Sequence, residues 1–330
     1  MTIKRAMIKR DDYLLGASQV QMHYSFAYPK GRLPSEWFVK DVVRRKQLQI
    51  HEVKKHRTGT DIVKRLLFPI QSIIKLGYIQ QSADFIGKKF ITGREEPVSF
   101  FATGYYQGFK LYRMWRISAE TVDEAIIRLK EFWTTHPLPH ILRIDNAMTW
   151  RGAGQLVAHL GRFVKFLLNL NITPLFSAPY QSYTNPHIEG NNSTFARKVW
   201  MKKMFGSLQE IDRACGRFNA ENERFFRWKF KEQLSRKSLR YLRPGQGINA
   251  ETLRSTKGKR VTFLRFVQRW AEEDGRCGIV LLNKFVPLPN PYNNQYVFVV
   301  INLETATLHV YSERDGISTE ILRKPFPITW

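Results

Sequence analysis

Cysteine is nearly absent: Cys215 and Cys277 are the only two in 330 residues. They lie far apart and provide neither a disulfide framework nor a Cys-x-x-Cys zinc pair, so both are expected to be packing residues. Long apolar runs are lacking too. The best candidates, Ile279 to Leu282 and Tyr296 to Ile301, fall short of the roughly 20 apolar residues that a membrane-crossing helix needs, so no membrane partner is expected. The opening residues, MTIKRAMIKRDD, have neither the apolar stretch nor the small-residue cleavage site of a secretory signal, which makes the cytoplasm the expected location. Acidic residues are scarce, 28 Asp and Glu against 53 Lys and Arg, and the net charge is +25. That imbalance calls for a polyanionic partner, and double-stranded DNA on the nucleoid fits it. With 43% hydrophobic and 13% aromatic residues, the chain can bury real cores.

The pattern along the chain divides it in three. Residues 1–75 are strongly basic and carry two short helical patterns around a Pro and Gly turn, the outline of a helix-turn-helix. The first spans Gly16 to Tyr24. Ser35 can cap the second, whose Phe38, Val39, Val42 and Val43 form an apolar face, leaving Lys40, Arg44, Arg45 and Lys46 for DNA. Strand patterns follow at Tyr78 to Ile86, Val98 to Thr103 and Gly108 to Ile117. A helix is expected from Ala119 to Thr134, a strand from His140 to Ile144, a helix from Gln155 to Leu170 and a strand from Ile172 to Phe176. Helices then run to about Arg240, and Phe195 to Arg243 is a second basic region with Arg197 and Lys198 as candidate DNA contacts. A Pro, Gly and basic linker covers 241–260. Five short strands in 250–330, among them Cys277 to Phe285, suggest a small β-barrel. Arg254, Lys257, Lys259, Arg260, Arg265 and Arg269 at its entrance offer another DNA surface, and the whole tail is expected to be separable from the core.

In so basic a chain, an Asp within an apolar strand stands out. Asp84 lies on the first strand in QQSADFIGKKF, and Asp145 closes the fourth in HILRIDN. Either alone can equally cap a turn. Glu189, near the start of a helix after a polar loop, can equally complement the helix dipole. If the first and fourth strands are neighbours, the two Asp residues meet, and the helix after the fifth strand can bring Glu189 over them. Clustered carboxylates repel unless cations balance them. Hard oxygen ligands of this kind suit Mg²⁺ or Mn²⁺, and a pair of such ions can activate an attacking oxygen and stabilise a leaving one on phosphorus. His187 is more simply a loop residue than a general base. Trp150 and Tyr180, near these motifs, are candidates for stacking on an unpaired DNA end.

These motifs give the chain a resemblance to the DDE transposases and retroviral-type integrases. ADFIG resembles that family's first Asp motif and RIDNAMTWRG its second, with Asn146 following. APYQSYTNPHIEGNN resembles the third, with Asn185, Glu189 and Asn192 in place, Pro186 where Gly is common, and Arg197 as the basic residue two turns later. The absence of a His and Cys zinc module ahead of the core makes the chain more similar to bacterial insertion-sequence transposases.

The resemblance implies an α/β protein: a ribonuclease H-like core with a mixed sheet over 76–240, after the helix-turn-helix of 1–75 and before a small SH3-like β-barrel at 250–330. It implies more DNA-binding sequence upstream. It also implies a DDE-type polynucleotidyl transferase whose Asp84, Asp145 and Glu189 are both catalytic and metal-binding. Such an enzyme cleaves transposon ends and transfers strands into target DNA, and it works as a homo-oligomer on DNA because two ends must be held together. The alternative is a non-catalytic DNA-binding remnant or regulator derived from a transposase.

Overall fold

The computed structural model describes residues 16–45, 69–91, 93, 95–151, 157–179, 181, 184–202, 204–230, 239–243 and 259–329. The chain is a mixed α/β protein. Helices α1 (Ala17–Ala27), α2 (Glu36–Arg45) and α3 (Ile70–Ile74) precede three strands, β1 (Gln80–Lys89), β2 (Val98–Gln107) and β3 (Leu111–Ile117). Then come α4 (Val122–Thr135), β4 (Ile141–Ile144), α5 (Met148–Arg151), α6 (Arg162–Asn169), β5 (Thr173–Phe176), α7 (Pro186–Lys198) and α8 (Leu208–Lys229). Seven strands close the chain: β6 (Arg260–Phe266), β7 (Gln268–Trp270), β8 (Arg276–Leu281), β9 (Lys284–Pro287), β10 (Tyr296–Asn302), β11 (Thr307–Arg314) and β12 (Ile317–Pro325).

Among the described residues, nine strands form one mixed sheet in the order β12-β11-β10-β6-β5-β4-β1-β2-β3. Strands β1, β2 and β3 are antiparallel neighbours, whereas β4 runs parallel to β1 and β5 parallel to β4. Alternation along β1 and β2 sends Ala83, Phe101 and Tyr105 to a core with Leu129, Phe132 and Trp133 of α4 and Phe163 and Phe166 of α6. Residues of the other parity, Phe100 and Ala102, pack under Ile188 and Phe195 of α7 and Ile211 and Phe218 of α8.

Local chemistry sets the helix limits. Thr121 and Ser207 cap α4 and α8 by accepting from the backbone N–H of Glu124 and Glu210, satisfying donors that a helix start leaves open. Pro186 begins α7, with Glu189 in its first turn and Arg197 and Lys198 in its last, as the helix dipole favours. The helix expected from Gln155 begins only at Arg162, after a turn in which Ala158 takes a left-handed φ of 52°.

The N-terminal helices form a pair, with Ser35 Oγ accepting from Phe38 N–H at 3.1 Å at the start of α2, as the sequence suggested. Val39 is buried, but Phe38, expected on the same apolar face, is exposed. Successive helical residues point about 100° apart, so Val39 turns inward and Phe38 outward. The pair docks on α8 through His23 Nε2 and Glu221 Oε1, 2.6 Å apart, and through Arg224 stacked 4.2 Å over Phe26.

The C-terminal strands depart from the expected barrel. Strand β6 joins the core sheet directly, pairing parallel with β5 at Leu175↔Thr262 and Phe176↔Phe263, and β10, β11 and β12 continue the sheet antiparallel beyond it. Strands β7, β8 and β9 form a separate three-stranded sheet, so the single strand expected over Cys277 to Phe285 is a hairpin turning at Leu282 and Asn283, both at positive φ. Gly278 is required in it: a Cβ there would lie 2.5 Å from the Phe285 ring and the Val286 carbonyl. Val261, Phe263, Ile279 and Val286 enter the same core as Phe163 and Phe176. The sheet therefore crosses the boundary drawn near 241–260. The near-continuous apolar run of β6 records burial on both faces, but says nothing of which edge the strand joins.

Candidate active site

Asp84 pairs across β1 and β2 with Ala102. On the other side of β1 the parallel register with β4 is Gln80↔Ile141, Gln81↔Leu142 and Ser82↔Arg143. Two residues further along, that register leads to Asp84 and Asp145, both on the sheet face covered by α7. Asp145 stands just past the end of β4, where its Oδ1 accepts from Ala147 N–H at 3.1 Å and shapes the turn. Glu189 sits in the first turn of α7. One turn later, Asn192 donates from Nδ2 to Asp84 Oδ2 at 3.1 Å while its Oδ1 accepts from the Tyr112 hydroxyl at 2.7 Å. This Tyr112, Asn192 and Asp84 chain holds α7 over the strand that carries Asp84.

The electrostatics join the three acids. Burial, then the charges of Asp145 and Glu189, push the Asp84 carboxyl up to about 7, against a smaller opposing effect of the Asn192 hydrogen bond. Asp84 thus lies within the field of both other carboxylates. Among the described residues, however, no three His, Cys, Asp or Glu side chains are gathered closely enough to form a ready metal-ligand set. The donor chemistry still suits a divalent cation, because hard carboxylate oxygens are its preferred ligands and its charge would return the Asp84 carboxyl, raised by burial and then by its acidic neighbours, to the ionised state.

A second group underlies α7 on the same face. Arg143, two residues before Asp145, is only 3% exposed. The neighbouring Tyr106 hydroxyl donates to Gln80 Oε1 at 2.7 Å, and the His187 ring stacks on Tyr106 with centroids 4.6 Å apart and planes within 6°. Desolvation, then Lys110 and Arg143, hold the His187 imidazole down to about 4, so it is neutral at physiological pH. His187 is thus a packing residue in the first turn of α7, not in the loop where the sequence pattern put it.

On the opposite face, Trp150 is fully buried and stacks on Phe85, so it offers no surface to an unpaired DNA end. Tyr180 lies outside the described residues. Of the candidate DNA contacts, Lys40 and Arg45 are exposed, each paired with an acid one turn back, Glu36 at 2.9 Å and Asp41 at 2.6 Å. The Arg44 side chain and Lys46 lie outside the described residues. Arg197 is exposed, with Nε donating to Ser193 O at 3.3 Å. Lys198 instead reaches Gln19 of α1, and burial pulls its ammonium down to about 8, despite the nearby Glu221. It joins α7 to the N-terminal helices rather than facing solvent.

At the barrel entrance expected from the sequence, Arg254 and Lys257 lie outside the described residues, Lys259 pairs with Glu304 at 2.5 Å, and Arg260 and Arg269 are exposed. Arg265 is 3% exposed and engaged with backbone carbonyls and Asn146. It is therefore not a DNA contact. Its position in the apolar run VTFLRFV was the signal that it points inward.

No family model matches the chain, and no curated protein matches it in sequence. Among solved structures, it is similar to a chain of the cryo-EM structure of the simian T-cell lymphotropic virus intasome in complex with PP2A regulatory subunit B56 gamma. That match has 10% sequence identity and a TM-score of 0.36, and covers 97% of each chain. Among the described residues, no helix is long and apolar enough to cross a membrane.

Proposed function

We propose that this chain is a metal-dependent polynucleotidyl transferase of the DDE transposase and integrase kind, cutting DNA ends and joining them to a target. The observation that carries the reading is the β1 and β4 register leading to Asp84 and Asp145, with the charge of Glu189 also felt at Asp84. The strand order β3-β2-β1-β4-β5, with three antiparallel strands followed by two parallel ones, supports a ribonuclease H-like core. The net charge of +25 supports a DNA substrate held by its phosphates.

In this reading Asp84, Asp145 and Glu189 hold Mg²⁺ or Mn²⁺, the bound metal supplying activation of an oxygen nucleophile and charge stabilisation at phosphorus. Asn192 fixes the Asp84 carboxylate and brings α7, with Glu189, to the strand ends. Basic residues on α2 and Arg197 on α7 bind the DNA backbone, and a homo-oligomer holds two ends together.

The test is incubation of the full chain with linear DNA carrying the sequences that flank its coding region, in Mg²⁺ or Mn²⁺, scored for cut ends and joined products. Asp145→Asn should abolish both while DNA affinity stays within a few fold, since only an anionic ligand is lost. Normal joining by Asp145→Asn would refute the assignment.

The absence of a ready metal-ligand set among the described residues favours a second reading, a DNA-binding protein without catalysis. Tight DNA binding with no cleavage in either metal would select it.

A further inference from the structure

We propose that Arg265 is a positioning residue for the metal-binding end of the sheet, so that the C-terminal strands are part of the active-site framework. The inference rests on the function proposed above.

Arg265 uses all three guanidinium nitrogens. Nε donates to Val280 O at 3.1 Å, Nη1 to Leu264 O at 2.9 Å and Ser177 O at 3.2 Å, and Nη2 to Asn146 Oδ1 at 2.9 Å. The guanidinium also lies 4.8 Å over the Phe263 ring. Asn146 donates from its own amide to the same Ser177 carbonyl, and Ser177 N–H donates to Ile144 O at 2.9 Å. Ile144 and Asn146 are the two chain neighbours of Asp145, so both peptide flanks of that carboxylate are tied to Ser177. Ser177 in turn follows β5 and opens the loop that leads to Glu189. Arg265 thus joins the segment bearing Asp145 to the segment leading to Glu189, from a strand that carries no candidate ligand.

Burying a guanidinium costs free energy unless its donors are filled, and its flat fork can reach carbonyls and an amide in several directions at once. A Lys at 265 has neither the planar fork nor the number of directed donors, so it cannot restore the whole link. Groups that orient a metal ligand in this way change metal affinity by about 10–100-fold when removed.

The experiment is a Mn²⁺ titration of the full chain without DNA, read as the rise in Tm that preferential binding to the folded state produces. The wild type should be stabilised and Asp145→Asn should not. Arg265→Lys and Asn146→Ala should each need about tenfold more Mn²⁺ for the half-maximal shift. The double variant should be no worse than the poorer single one, because both changes break one link.

Wild-type Mn²⁺ dependence in Arg265→Lys, with Asp145→Asn unresponsive, would overturn the inference and leave the metal site standing. Independent, additive losses in the double variant would overturn it too. A wild type that ignores Mn²⁺ would overturn the metal reading and this inference with it. Should Arg265→Lys fail to fold, Asn146→Ala alone decides, since it keeps the three carbonyl bonds of Arg265: an unchanged Mn²⁺ requirement refutes the link.

Discussion

The indole of Trp150 lies on the ring of Phe85 with centroids 4.4 Å apart and planes within 8° of parallel. Phe85 follows Asp84 on β1, and Trp150 belongs to the short helix after Asp145, so this stack pins together the two segments that carry the acids, from the opposite side of the sheet. Trp150 also contacts Phe101 and Phe163, and its indole N–H finds no acceptor among the described residues. Trp150→Ala should cost about 3–5 kcal/mol, the usual range for emptying a buried aromatic site. Trp150→Phe should cost clearly less, because it keeps a stacking ring and removes an unsatisfied donor. Urea unfolding of the three proteins gives the comparison, and equal losses for Phe and Ala would mean that the stack is unimportant.

The Asp84 carboxyl gives the metal-free protein a pH signature. Its folded value, up to about 7, lies above the unfolded value near 3.8, the main cause being burial and the next the charges of Asp145 and Glu189. Between those limits the folded chain holds a proton that the unfolded chain has lost. Stability therefore falls as pH rises from about 4 to about 7, by at most ~1.4 kcal/mol per pH unit for this one group. Asp84→Asn removes the titration, so the wild-type minus variant stability difference should decline over that window and level off above it. Divalent metal, which binds the ionised form, should oppose the decline and bind more tightly as pH rises. Chemical denaturation from pH 4.5 to 8 checks both statements; a difference independent of pH would contradict the placement of Asp84.

His136 acts in the opposite direction. It is 8% exposed at the end of α4 and stacks 4.4 Å from Phe132; burial, then Arg113, pull its imidazole down to about 4. Above the unfolded value of about 6.5 both states are neutral and the contribution is complete. As pH falls from there toward 4, the unfolded chain takes a proton that the folded one refuses, and stability is lost. His136→Phe should therefore lose less stability than the wild type between pH 7 and 5. Urea midpoints at the two pH values measure it, and parallel losses would show that another group dominates the acid side.

The five strands of the core and the two Asp positions were legible because each rests on short-range pattern: alternation along a strand, and an acid where apolar alternation stops. Glu189 was legible only as one end of a motif, since a helix-start Glu is common for dipole reasons alone. Arg265 was misread because basic residues in a basic chain are counted as surface, and only its apolar neighbours marked it as inward. Lys198 was misread for the same reason. Partners distant in sequence decided both cases, Asn146 for Arg265 and Gln19 for Lys198. The start of α6 was placed early because Gln155 to Leu160 share its apolar spacing, and a single left-handed residue at Ala158 was enough to break it.

The same limit applies to the tail, where four of the five expected strands form, the fifth is a hairpin, β7 had no signal, and strand partnership could not be read at all. Phe263 on β6 is fully buried and stacks on Phe176 of β5 at 5.0 Å, and Thr262 Oγ1 donates to Pro174 O at 2.8 Å. Ending the chain after Arg243 would expose the β5 edge and strip Val261, Phe263, Ile279 and Val286 from the main core, so the remaining piece should aggregate or lose fixed packing instead of persisting as a folded, metal-binding unit. Phe263→Ala in the full chain is the gentler test. It should cost about 3–5 kcal/mol and shift one cooperative unfolding transition for core and tail together, because the two halves share side chains in a single core. Calorimetry distinguishes the alternatives: a lowered transition for the tail beside an unmoved one for the core would mean that the β5 and β6 junction carries no coupling.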